Sequence, residues 1–168
     1  MSQPTGRAGG AGTGAGSSPG SRRTEDASER ERGLGLVHRR FGWTALFAWM
    51  TFGLVVEFLH GIKLGGYLLD PLRREFWTLA HFHGALLAVV NLAYVRWAES
   101  PALAASRRVT ASRCLLAGSV LMPVGFLLGG IAHYEGDPGV GIFLAPLGAL
   151  LLLVAVGLQM RAAWTSGA

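Results

Sequence analysis

Cysteine is almost absent from this chain: Cys114 stands alone in 168 residues. No internal disulfide can form, and no cysteine-based zinc site can be assembled. Charge is also scarce, at 15% of residues against 51% hydrophobic ones, with a mean hydropathy of +0.39. Lysine is nearly missing, since Lys63 is the single one among 15 basic residues; arginine therefore carries the formal +5. Within the long apolar runs the only carboxylate is Glu57. Nothing pairs a nucleophile with a base. Gly9-Gly10 and the glycines around them have no strand or helix beside them from which to build a phosphate loop. No apolar core precedes Leu34, so no cleavable signal peptide is expected.

What the chain does have is four runs of about 20 mostly uncharged residues, each long enough to cross a hydrocarbon core of roughly 30 Å as a helix. The expected fold is an all-α integral membrane protein of one domain, a four-transmembrane-helix bundle running up-down-up-down. Its spans are placed near 41–62, 76–97, 114–134 and 140–160. Residues 1–35 are expected to be a cytoplasmic tail, disordered and rich in Gly, Ala and Ser over residues 1–21, then a charged, solvated stretch from Arg22 to Arg32 that can form a transient helix. Residues 36–168 then form the transmembrane domain. Asp70-Pro71 is a helix-start signal, with Asp as N-cap and Pro at the first helical position, and Asp137-Pro138 repeats it before the fourth span. Gly125 and Gly129, then Gly141, Ala145 and Gly148, are small residues that let membrane helices approach closely.

Loop charge sets the orientation. Arg39, Arg40, Arg96, Arg107, Arg108, Arg113 and Arg161 fall on one side, and Lys63, Arg73 and Arg74 on the other, offset by Asp70, Glu75, Glu135 and Asp137. The positive-inside rule then puts both termini on the cytoplasmic side of the plasma (inner) membrane. Bases at the ends of apolar runs are explained by orientation and anionic lipid, so the expected partner is the lipid bilayer and not nucleic acid. The small-residue faces suit a homo-oligomer or a larger membrane complex as well as internal packing.

Threading the chain up and down brings Glu57, His60, His81, His83 and His133 to the outer end, on three helices. His38, beside Arg39, is left at the opposite surface as an interfacial residue. At about 1.5 Å of rise per residue, His81 and His83 lie roughly 8 and 11 Å into the second run, and Glu57 roughly 8 Å from the end of the first. Ionisable groups at such depth usually face the interior, paired or functional. Glu57 and His60 are three apart and share a helix face. His81 and His83 are two apart, about 200° around a regular helix, so they cannot face one point. The expected centre therefore combines Glu57, His60, His133 and one of His81 and His83, with the other turned away.

A further arrangement, two centres flanking the second helix, resembles the His-x-His pair of haem-copper oxidase main subunits; the resemblance is confined to His81-Phe82-His83. Glu57-x-x-His60 similarly resembles half of a carboxylate di-iron bundle. Three functional readings follow. The first is a metal site (copper, iron or zinc) on Glu57, His60, His81, His83 and His133, or haem b on two of His60, His81 and His83. The second is a non-catalytic accessory subunit or scaffold whose buried Glu and His residues form a structural hydrogen-bond network. The third is a proton or small-solute pathway, for which the inner half offers only Asn91, Thr44, Thr51 and Ser119 as polar lining.

Overall fold

The computed structural model describes residues 19–98, 105–134 and 136–165. Among them the chain is helical almost throughout: α1 (Pro19–Gly61), the single turn α2 (Gly65–Leu68), α3 (Pro71–Ala98), α4 (Ala105–Gly129), a 3-10 turn at Val140–Phe143, and α5 (Leu144–Thr165). Four segments are long and apolar enough to cross a membrane: Arg32–Gly61, Pro71–Arg96, Arg107–Gly129 and Val140–Thr165. At 1.5 Å per residue their 23 to 30 residues reach about 35 to 45 Å, beyond the roughly 30 Å of a hydrocarbon core.

Neighbours in sequence are neighbours in space. α1 lies along α3, α3 along α4 and α4 along α5, so α3 and α4 form the centre and α1 and α5 flank them. Residue numbers rise along one helix as they fall along the next. Gly35 faces Val95, Gly42 faces Leu92, and Gly53 faces His81; Gly118 faces Leu152, and Gly125 faces Ala145. The glycines at these contacts let the helices approach closely. Ala80, Ala88, Ala111, Ala145 and Ala155 are all buried, and among the described residues Tyr94 and Leu115 form a hydrophobic cluster against Ala155. The outward faces of α1 and α5 are apolar and exposed, as at Phe47, Leu54, Leu150 and Leu153.

The helix boundaries depart from the sequence reading in four places. α1 begins at Pro19, so the charged stretch expected as tail extends the first helix through residue 35; residues 1–18 lie outside those described. Arg, Glu and Ala are strong helix formers and Pro suits a first helical position, which favours this continuation. α4 spans Ala105–Gly129 in place of 114–134. The polar Arg107–Arg113 stretch is its first turns, and Gly129-Gly130 ends it. Cys114 is then interior to α4, partly buried. Asp70 caps α3 as expected, its Oδ1 accepting the Arg73 backbone N–H at 2.9 Å. Asp137 does not repeat that role. It pairs with Tyr134 through the backbone in a tight turn, and Gly139 stands at the N-cap of the 3-10 turn that leads into α5.

A Cβ at Gly118 would meet Leu152 Cγ at 2.7 Å and the Gly148 carbonyl at 2.8 Å, and one at Gly148 would meet the Met122 amide at 2.6 Å. Gly157 faces open space. Gly118→Ala and Gly148→Ala are therefore expected to destabilise the α4–α5 contact by about 1 to 3 kcal/mol. Gly157→Ala should leave the thermal midpoint in detergent within error of the native protein, and equal midpoints for all three variants would contradict this packing.

Candidate functional site

The structure disperses the five residues expected to share one centre. His60 is exposed, with its ring edge-on to Tyr67 at 5.2 Å. His81 donates from Nδ1 to the Trp49 carbonyl of α1 at 2.7 Å and its ring fills the notch left by Gly53. His83 turns the other way, donating from Nδ1 to its own helix at Leu79 O, 2.8 Å, and stacking on Phe126 of α4 at 5.0 Å. This is the divergence that a spacing of two imposes on a helix. His133 lies beyond α4 and bonds Asp70. Glu57 is exposed and shares with His81 and Thr78 a cavity of about 310 Å³ between α1 and α3. Among the described residues, no three of His, Cys, Asp and Glu are grouped as ligands for one metal ion. The described residues therefore do not display the expected three-helix centre, because His60, His81, His83 and His133 each meet a different neighbour.

At the end where α3 begins, Asp70 is a clamp. Its Oδ1 caps α3, while Oδ2 accepts from His133 Nε2 at 2.8 Å and lies 3.4 Å from the Arg73 guanidinium. Arg73 continues across the gap, donating to the carbonyls of Gly130 at 3.1 Å, Gly66 at 3.2 Å and Ile131 at 3.4 Å. One acid and one base thus tie the start of α3 to the α1–α3 loop and to the end of α4. Burial alone would raise the Asp70 pKa. The Arg73 amide, the His133 hydrogen bond and the charges of His133 and Arg73 outweigh it and hold the carboxyl below its ordinary range. Nearby, Tyr67 is buried under Trp77, their rings stacked at 5.9 Å. Its desolvation raises the phenol pKa, opposed by the Arg74 charge and reinforced by that of Glu57.

The densest polar cluster sits at the other end, which the sequence reading assigned to the membrane surface. His38 is completely buried. Its Nδ1 bonds Asn91 Oδ1 of α3 at 2.7 Å, and its Nε2 bonds Ser112 Oγ of α4 at 2.8 Å. Asn91 Nδ2 donates to Leu87 O and to Ser119 Oγ, both at 2.8 Å. Those donations fix the amide orientation, so Asn91 Oδ1 accepts and His38 Nδ1 carries the proton. In the neutral imidazole, Nε2 then accepts from the Ser112 hydroxyl. Every atom of the His38 ring that can hydrogen-bond is satisfied without a charge, as burial requires. Tyr94 covers the ring at 4.4 Å. Sequence reasoning missed His38 and Ser112. The available signal was the spacing of seven between Ser112 and Ser119, which puts both on one face of α4.

Comparison of the chain with protein-family models, with curated proteins and with solved structures found no match.

Because the folded Asp70 pKa is depressed, its contribution to stability is complete above the unfolded value of about 3.9 and is lost as pH falls through the folded value. Asp70→Asn keeps an N-cap but removes the charge. It is expected to lower the thermal midpoint at pH 7 and to flatten the fall of that midpoint below about pH 4. Parallel pH profiles for the two proteins would show that the clamp contributes nothing.

Proposed function

We propose that this chain is a non-catalytic integral membrane protein, an accessory subunit or scaffold whose polar interior sets helix register. Its four long helices run up-down-up-down, with both termini on the cytoplasmic side of the plasma (inner) membrane, because the exposed arginines Arg39, Arg40, Arg96, Arg107, Arg113 and Arg161 gather at one end. The observation that carries the reading is His38. A fully buried imidazole bonded at both nitrogens to side chains of two other helices acts as an interhelical bolt, with no lone pair or proton left over for a substrate. The apolar outer faces of α1 and α5 suit lipid, or association with further copies or subunits.

His81 favours a second reading. Its Nδ1 donates to a backbone carbonyl, which in the neutral ring leaves Nε2 as an acceptor, the arrangement a metal- or haem-ligating histidine adopts. Glu57 lies in the same cavity. The chain supplies two ligands there, so a copper, iron or zinc ion, or haem b, would need its remaining ligands from a second copy or a partner.

Alkaline carbonate extraction tests membrane integration, and release of the chain into the supernatant would overturn the primary reading. Absorption spectra and elemental analysis of chelator-free protein separate the two readings. The scaffold predicts neither a Soret band nor stoichiometric metal; either one, abolished by His81→Ala, would establish the second. His38→Leu removes the partner of Asn91 Oδ1 and of Ser112 Oγ and is expected to cost about 1 to 3 kcal/mol. His60→Ala, at an exposed ring, should cost less than about 0.5 kcal/mol.

A further inference from the structure

A cleft of about 260 Å³ opens at the arginine-rich end, lined by Arg32, Gly35, Leu36 and Arg39 of α1 and Val95 of α3. Arg32 and Arg39 are seven apart, two turns on one helix face, and both are exposed. Between them the helix surface is apolar. Gly35 is buried and leaves the floor low, with Val95 Cγ1 only 3.6 Å from where its Cβ would stand. Leu36 forms the wall, 40% exposed. Among the described residues, the lining contains two guanidiniums and no carboxylate. The cleft also lies at the end of a segment long and apolar enough to cross a membrane.

We propose that this cleft is a binding site for an anionic phospholipid of the cytoplasmic leaflet. The lipid phosphate sits between Arg32 and Arg39, and the upper part of an acyl chain lies along Leu36 and Val95. The chemistry matches on both counts. Arg presents a planar fork of donors that meets a phosphate bidentately, and basic pockets between helices on the cytoplasmic side hold acidic headgroups. The apolar floor supplies what a free inorganic anion would not use. It also distinguishes this cleft from exposed arginines elsewhere on the same end, such as Arg113 and Arg161, which act as separate interfacial charges. The site rests on the membrane reading above and deepens it, naming the lipid that the basic end selects. It also places the bound lipid against the turns of α1 on either side of His38, so the bolt and the lipid hold one segment from its two sides.

Native mass spectrometry of the full-length protein in detergent, with phosphatidylglycerol and phosphatidylcholine added in equal amounts, reads the selectivity directly. The native chain should retain the anionic lipid about thirtyfold over the zwitterionic one, as two interfacial arginines imply. Arg32→Gln with Arg39→Gln should abolish the preference. Gly35→Leu fills the floor without changing charge and should do the same. Arg113→Gln with Arg161→Gln removes equal charge elsewhere and should keep the preference. Should that last pair lose it as completely, or Gly35→Leu retain it in a protein of native thermal midpoint, the basic end acts only by net charge and the site is overturned. Displacement of the lipid by an equal concentration of inorganic phosphate would overturn it too. Failure of carbonate extraction sinks the membrane reading itself, whereas an integral protein without lipid preference sinks this site alone.

Discussion

The packing of this protein depends on one constraint: a buried imidazole must find two partners or be driven out. His38 finds them on two other helices, in Asn91 and Ser112. Breaking either bond leaves a polar atom unsatisfied at zero exposure, which costs more than forming the bond returns. The register of α1 against α3 and α4 is therefore constrained at this level. Asn91 extends the constraint through Ser119, a full two turns further along α4. An apolar contact between small residues tolerates sliding; a bidirectional hydrogen-bond set does not.

The opposite end is held by different physics. Asp70 and Arg73 are charged, lie at the edge of the apolar segment and spend their valence on backbone groups at helix ends. Helix termini carry orphan amides and carbonyls, and Arg73 serves those of Gly130 and Ile131 where α4 stops. The neutral network suits depth and the charged clamp suits the boundary. Between them the helices meet through Gly and Ala, so the middle adds close contact and the two ends add specificity.

How much of this could be read from residues alone follows the same division. Long apolar runs and the Asp70-Pro71 signal depend on local rules, and α3 starts where they place it. The divergence of His81 and His83 is also local, a consequence of 3.6 residues per turn. Convergence on one centre was a tertiary inference that the described residues do not display, because equal depth does not imply equal azimuth. His60, His81, His83 and His133 lie near one end of the molecule yet face different neighbours. His38 was missed because Arg39-Arg40 beside it mark a surface. Arginine reaches solvent on a long stem, so a helix can carry it for two turns while an adjacent residue turns inward. The charged stretch from Arg22 to Arg32 was expected to be helical only transiently, and it lies within α1, since charge density argues for solvent but does not argue against helix.

The distribution of polar residues also bears on what the protein can do. A relay needs a continuous chain of groups that exchange protons, but the His38 network ends on serine hydroxyls at Ser112 and Ser119, and His81 is tied to a backbone carbonyl. Between these groups the α1–α3 contact passes through Gly42, Leu92 and Ala88, which carry no exchangeable side-chain proton. Among the described residues, the polar groups of the interior thus stand in separate sets, one around His38 and one around His81. At the perimeter, Arg32 and Arg39 frame an apolar cleft, and α1 and α5 turn apolar faces outward.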